Sequence, residues 1–241
     1  LTISYIGDIP KVPVRMRRKS ACNLLVIDEK KRDPANEAFR IVRSNIGLLY
    51  PDVEKPGLIL ITSLNPRSGK TFVSANMAMS IAVTGSKTIM IDLDLRKASL
   101  SKCPGSRNYG MTEYLKGMID DIDDLIVTSF FHENLDLIPA GTLTANPVEL
   151  LLNHRLEELI GRLKGRYDTI CIDCAPAEIV ADASIISKFA DLTVFVVREG
   201  FLDRQLLPDV EELFKSRKLT NMAVLLNCSN YVGRYGNYYR G

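Results

Sequence analysis

From residue 58 onward, short apolar runs alternate with amphipathic stretches, and nothing else in the chain constrains its fold as tightly. The runs at 58–63 (LILITS), 87–94 (KTIMIDLD), 135–140 (LDLIPA), 167–173 (YDTICID), 192–198 (LTVFVVR) and 221–227 (NMAVLLN) are apolar without strict alternation. Strands read that way when both faces of a parallel sheet are covered. Helical patterns fill the gaps at about 70–84, 147–164, 182–189 and 203–217, with Pro147 suited to a first turn and Pro208 near the start of the last helix. This order predicts an α/β fold, a doubly wound and mostly parallel sheet with helices on both faces and ligands at the carboxyl ends of its strands.

The first 57 residues follow another rule. Residues 11–20 (KVPVRMRRKS) carry Lys11, Arg15, Arg17, Arg18 and Lys19 without one acid, and read as an extended arm. A short apolar segment follows at 24–27, then a helical pattern at 36–50 (NEAFRIVRSNIGLLY). The other end of the chain is as distinct. The segment 231–241 (YVGRYGNYYRG) holds four of the nine tyrosines, broken by glycine, with no helical or strand period that would bury the rings.

At 241 residues the chain fits one large α/β domain. Its net charge of +2 makes no case for a nucleic-acid partner. Five scattered cysteines, odd in number, predict reduced thiols. Cys171 and Cys174 lie inside an apolar strand pattern with no second Cys or His pair at zinc spacing, which reads as core rather than a metal or redox site. No apolar run reaches the ~18 residues of a membrane span. The chain opens on Leu1 rather than Met, as a piece of a longer protein would.

Three strand ends carry chemistry. The stretch ITSLNPRSGKTF (61–72) joins an apolar strand to a helix through Gly69-Lys70-Thr71. At such a junction, backbone N–H groups and the helix dipole converge on phosphate oxygens, a lysine supplies a point charge, and the Thr hydroxyl is placed for Mg²⁺. The strict form G-x-x-x-x-G-K-[ST] is broken, because Leu64 stands at its first glycine. The nucleotide-binding residues expected on this loop are Ser63, Asn65, Pro66, Arg67, Ser68, Gly69, Lys70, Thr71 and Phe72. The second strand end is Asp92-x-Asp94-x-Arg96, whose two carboxylates share one face and repel unless a cation is near. The third is Asp173, followed by Pro176, placed to hold Mg²⁺ opposite the threonine. The fold expected is therefore of the P-loop NTPase type.

Such a site does not choose its acceptor: water, a small molecule or a protein hydroxyl would each serve. One rival reading is a partition or division-site ATPase acting as a nucleotide-dependent oligomerisation switch. The loop of that group reads K-G-G-x-G-K-[ST], where this chain has Asn65, Pro66 and Arg67.

The chain resembles the cytoplasmic kinase domain of the bacterial tyrosine autokinases, the BY-kinases, which control capsule and exopolysaccharide assembly. That family's S-x-x-P-x-x-G-K-[ST] loop is matched by Ser63, Pro66, Gly69, Lys70 and Thr71, its D-x-D-x-R box by Asp92, Asp94 and Arg96, and its D-x-x-P box by Asp173 and Pro176. Its oligomerisation helix, E-x-x-R-x-x-R-[ST]-N, is matched by Glu37, Arg40, Arg43, Ser44 and Asn45. The resemblance implies ATP and ADP as ligands with Mg²⁺ as cofactor. Lys70 would contact the phosphates, and Thr71, Asp94 and Asp173 would organise the metal. It names Asp92 as base for an incoming tyrosine hydroxyl, gives Arg96 a place in the site or its neighbouring loop, and sets Asn227 against adenine. Tyr231, Tyr235, Tyr238 and Tyr239 become phosphate acceptors, with roughly 14 to 40 Å of reach from Asn227, enough for a neighbour's site in a ring. Further implications are a membrane-spanning chain-length-regulator segment in the same full-length chain, a cognate tyrosine phosphatase, and a place at the cytoplasmic face of the inner membrane. The organisation expected is a basic juxtamembrane arm and linker at 1–34, a kinase domain at 35–228 and a flexible tail at 229–241.

Overall fold

The computed structural model describes residues 3–13, 24–49, 57–103, 105–177 and 181–230. The predicted arm at 14–20 and the tyrosine tail from Tyr231 lie outside them. The strands are β1 (Ser4–Pro10), β2 (Leu58–Ser63), β3 (Thr88–Leu93), β4 (Val127–His132), β5 (Leu135–Ile138), β6 (Thr169–Cys174), β7 (Leu192–Arg198) and β8 (Met222–Ser229). They form one sheet in the order β1-β8-β7-β2-β6-β3-β5-β4. Every pairing is parallel except that of β4 with β5.

The expected α/β architecture is the observed one, and the near-continuous apolar runs explain it. β2, β3 and β6 are buried at every position. Residues alternate between two cores: Leu58, Leu60, Ile89, Ile91, Ile170 and Ile172 enter one, while Ile59, Ile61, Met90 and Cys171 enter the other. Cys174 lies in the first core and Cys171 in the second, so the two thiols face opposite sides of the sheet and cannot share a metal. Both are free, and burial pushes the Cys171 pKa up to about 12. The expectation of reduced thiols fails at Cys103, which is disulfide-bonded.

The sheet has two strands more than the sequence pattern predicted. In β1, the register shifts between Tyr5 and Gly7, where Gly7 has φ 137°, and this break hides the strand period. β4 is an edge strand with a largely exposed or half-buried pattern, so it lacks an apolar run. After α3 (Met111–Leu115), the predicted helix at 147–164 divides into α4 (Pro147–Leu151) and α5 (His154–Lys164), with Asn153 between them accepting the Arg155 N–H at 3.1 Å.

Two long helices cover the second core. α1 (Pro34–Leu49) begins where Asp33 Oδ1 accepts the N–H groups of Ala35 and Asn36, both at 3.0 Å, and Pro34 occupies the first turn. α2 (Lys70–Ala82) is buried along almost its whole length, because α1 closes it against the sheet. The segment 24–27 threads along these helices, where Leu25, Val26 and Ile27 are buried. Asn76 on α2 accepts from Val26 N (2.8 Å) and Ile27 N (3.3 Å) and donates to Leu24 O and Phe72 O (both 2.8 Å). No helix among the described residues is long and apolar enough to cross a membrane.

Candidate active site

Because β2, β3, β6, β7 and β8 run parallel, their carboxyl ends meet at one edge of the sheet, and the predicted loop 63–70 sits there. Its shape is fixed by side chains that seize its carbonyls. Ser63 Oγ and Ser68 Oγ each donate to Asn65 O at 2.8 Å, Arg198 Nη1 donates to Arg67 O at 3.0 Å, and Asn227 Nδ2 donates to Ser68 O at 2.9 Å. Across a planar trans peptide the next N–H points the opposite way, so the amides of Ser68 and Gly69 face away from those donors. Arg67 (φ 66°) and Gly69 (φ 90°) hold left-handed backbone conformations. At Gly69 a Cβ would overlap the Asn227 amide, so that position admits only glycine.

Lys70 and Thr71 open α2 directly behind this loop. The Lys70 ammonium, nearly buried, pairs with Asp94 Oδ2 at 2.8 Å. Burial pushes the Lys70 pKa down, but Asp173 and Asp94 outweigh it and hold the pKa above its ordinary value. In the parallel register Asp92 lies beside Asp173. Burial, helped by the Asp94 charge, leaves the Asp173 pKa raised; the Lys70 charge and the hydroxyls of Thr71 and Ser74 oppose the rise. Ser74 Oγ donates to Asp173 Oδ1 at 3.1 Å. The turn after β6 is joined to the loop, since Thr62 Oγ1 donates to Ala175 O and Ala177 N to Ser63 O, both at 2.8 Å.

Asp92 differs from its neighbours. It is fully buried, and its two oxygens accept the backbone N–H groups of Asp94 (3.2 Å) and Leu100 (3.0 Å). Burial, followed by the charge of Asp173, raises its pKa well above the usual carboxylate range. Its observed work is to shape the turn that carries Asp94 and Arg96. Asn227 is likewise engaged at both ends of its amide, on Ser68 O and on Cys228 N at 2.9 Å.

Two buried oxygens stand out at this edge. Asp94 Oδ1 and Asp173 Oδ2 are buried with no hydrogen-bond partner among the described residues. An unpaired buried carboxylate oxygen is costly. With the Thr71 hydroxyl, which lies against the Asp173 carboxylate, these oxygens could supply hard donors of the kind that Mg²⁺ takes together with phosphate and water. Among the described residues no group of three or more His, Cys, Asp and Glu side chains is placed to hold a metal, so the protein offers two carboxylates and a hydroxyl.

The structure thus brings together Ser63, Asn65, Ser68, Gly69, Lys70, Thr71, Asp92, Asp94, Arg96, Asp173 and Asn227 at one edge. Glu37, Arg40, Arg43 and Asn45 sit apart on α1. There Arg40 pairs with Glu37 at 3.5 Å, Arg43 donates to Ser80 O and Ser80 Oγ, and Asn45 donates to Ile6 O at 3.0 Å. Sequence reasoning missed three residues at the site: Ser74, Arg198 and Asp182. Ser74 stands four residues after Lys70, on the same helix face, and that spacing was readable. Asp182, fully buried at the start of α6 (Asp182–Ser187), meets Arg96 only through tertiary folding.

A strand–loop–helix cradle backed by acidic strand ends defines a fold of the P-loop NTPase type. The family model described as AAA domain matches residues 58–205. A putative tyrosine-protein kinase in the cps region of Klebsiella pneumoniae is 36% identical over 76% of this chain, which spans 25% of that protein's length. The tyrosine-protein kinase CpsD of Streptococcus pneumoniae is 33% identical over 89% of this chain and is covered over 97% of its own length. Among solved structures, the kinase domain of Escherichia coli tyrosine kinase ETK superposes with a TM-score of 0.79 at 28% identity, covering 93% of this chain and 90% of that one. The septum site-determining protein MinD complexed with Mg-ADP, from Pyrococcus horikoshii OT3, matches less fully, at TM-score 0.57, 28% identity, 75% of this chain and 71% of that one. The chain belongs to the bacterial tyrosine-protein kinase family, within the AAA-domain P-loop fold.

Proposed function

We propose that this chain is an ATP-dependent protein-tyrosine autokinase. It phosphorylates its own cluster Tyr231, Tyr235, Tyr238 and Tyr239, between subunits of a ring, and so regulates capsule or exopolysaccharide assembly and export. One observation carries the reading: Lys70, Thr71, Asp94 and Asp173 gather at the edge where β8 ends, and the tyrosine segment follows directly from β8. The names of the relatives support it.

In this reading the amides of Ser68 and Gly69 and the Lys70 ammonium hold the nucleotide phosphates, and Lys70 leaves Asp94 to do so. Thr71, Asp94 and Asp173 would hold Mg²⁺, which when bound neutralises charge on the phosphoryl oxygens. A phenol of pKa ~10 is about a thousandth ionised at pH 7, so the acceptor needs a proton acceptor or close placement. Asp92 could take that proton only by opening one of its two backbone hydrogen bonds, whereas its hold on the Asp94 amide serves the site as it stands. Asn227 fixes the phosphate loop, and contact with adenine would add to that role.

Arg43 and Asn45 are engaged within the chain, whereas the half-exposed Glu37–Arg40 pair, Ser44 and Leu48 (75% exposed) lie on the outer side of α1, where a neighbouring subunit could meet them. Phosphates on the tail would add nearly two negative charges each, and their repulsion favours ring disassembly. A membrane-spanning chain-length-regulator segment and a tyrosine phosphatase are the partners that fit this cycle, at the cytoplasmic face of the inner membrane. The test is mass spectrometry after incubation with Mg·ATP. Phosphoryl additions mapping to 231–239 in the wild type and absent in Lys70→Met support the kinase. Phosphate released to solution with no gain of mass would return the chain to the switching ATPases that the MinD likeness represents.

A further inference from the structure

Arg96 leaves the end of β3 two residues past Asp94, the partner of Lys70. Its Nε lies 3.4 Å from Asp182 Oδ2; the arginine side chain is 34% exposed and the aspartate 1%. Asp182 is supplied by a separate element, α6, which Ala183 and Ile186 anchor in the core. Among the described residues Arg96 makes no other hydrogen bond, and its two terminal amino groups have no partner there. Asp182 Oδ1 is buried without a hydrogen-bond partner among those residues.

This pair is poorly built as a stabilising salt bridge. A buried carboxylate needs close, complete pairing to offset its lost hydration, and here there is one long contact and one orphaned oxygen. It is well built as a clamp. Gripping a guanidinium by Nε fixes its plane and leaves the two amino groups parallel, ready for a second planar or phosphoryl acceptor. In phosphoryl transfer, charge spreads over three equatorial oxygens, which is the target such a fork suits.

We propose that Asp182 is a positioning residue for phosphoryl transfer: it holds Arg96 by Nε, so that the terminal amino groups meet the oxygens of the phosphoryl group in transit. This rests on the kinase reading of the same site.

The test is a double-mutant cycle on the full 241-residue chain, comparing wild type, Asp182→Asn, Arg96→Ala and the double variant. Each is measured for the rate of phosphotyrosine formation at saturating Mg·ATP, for ADP affinity with Mg²⁺, and for melting temperature. Each single variant should lose roughly tenfold to a hundredfold in rate. The double variant should lose no more than the worse single one, with ADP affinity held within about twofold. Arg96→Lys, which keeps the charge but not the fork, should behave as Arg96→Ala. Additive losses, or a rate loss in Asp182→Asn that tracks ADP affinity or melting, would overturn the proposal. Asp182→Ser carries the cycle if Asp182→Asn does not fold. Should the wild type release phosphate and form no phosphotyrosine, the kinase reading fails separately. The cycle is then read on phosphate release, where non-additivity supports the clamp and additivity refutes it.

Discussion

Two regions of this molecule bury polar side chains, and they do so in opposite ways. Between α1 and α2, Asn76 uses its amide for four hydrogen bonds. Asn36 accepts from Asp28 N and donates to Val26 O and Asp33 Oδ2. Every polar atom of both side chains has a partner. At the carboxyl edge of the sheet, Asp94, Asp173 and Asp182 each bury an oxygen with none among the described residues. A buried polar group left unpaired costs about 1–3 kcal/mol, and more when charged. The satisfied asparagines are architecture, holding the segment 24–27 onto the helix that carries Lys70. On the proposed function, the unpaired oxygens of Asp94 and Asp173 would face the cation, and that of Asp182 belongs to the proposed clamp on Arg96.

Variants on either side should separate stability from chemistry, and four outcomes test the contrast. The largest effect belongs to Lys70→Met, which should lower phosphotyrosine formation about a thousandfold by removing the phosphate-binding charge, measured in single-turnover assays. Asn76→Ala should instead act on stability. It strands the backbone N–H groups of Val26 and Ile27 and the carbonyl of Leu24 at a cost of about 3 kcal/mol in urea unfolding, with phosphotyrosine formation by the folded chain retained. Asp173→Asn should show the reverse pattern, a loss of roughly a hundredfold in transfer rate. Its stability should change by less than ~1 kcal/mol, because asparagine keeps an acceptor for Ser74 Oγ while removing the buried negative charge.

The smallest effect is one of pH. Asp92 and Asp173 have pKa values raised in the folded chain, chiefly by burial, so the folded chain binds these protons more tightly than the unfolded chain does. Their contribution to stability therefore grows as pH falls through the raised folded values toward the ordinary carboxylate range, and is lost as pH rises again. A tenfold tighter hold on one proton corresponds to about 1.4 kcal/mol. Urea midpoints of the nucleotide-free chain should rise from about pH 7.5 to about pH 5 against an Asp92→Asn control, and Mg·ADP should flatten that slope. An unchanged slope with Mg·ADP would separate these carboxylates from the cation site.

What was legible in the sequence follows the same division. The phosphate loop and the acidic strand ends could be read because each is local: a glycine and lysine between strand and helix, and an acid where an apolar run stops. β2, β3 and β6–β8 were readable because burial on both faces leaves continuous apolar runs. β1 was not, since Gly7 and its register shift break the period, and β4 was not, since an exposed edge carries no apolar run. Asp182 could not be read from its surroundings, because its value lies in meeting Arg96, 86 residues away in sequence. Asp92 was readable as a site residue, but its hydrogen bonds to two backbone amides are a property of the fold alone.

The most direct measurement is to count bound Mn²⁺, a paramagnetic stand-in for Mg²⁺, on the ADP-loaded chain by electron paramagnetic resonance. Wild type, Asp173→Asn and Asn76→Ala would be compared at matched folded concentration. The account predicts a bound ion in wild type and in Asn76→Ala, and its loss in Asp173→Asn. Equal Mn²⁺ binding in wild type and Asp173→Asn would contradict it.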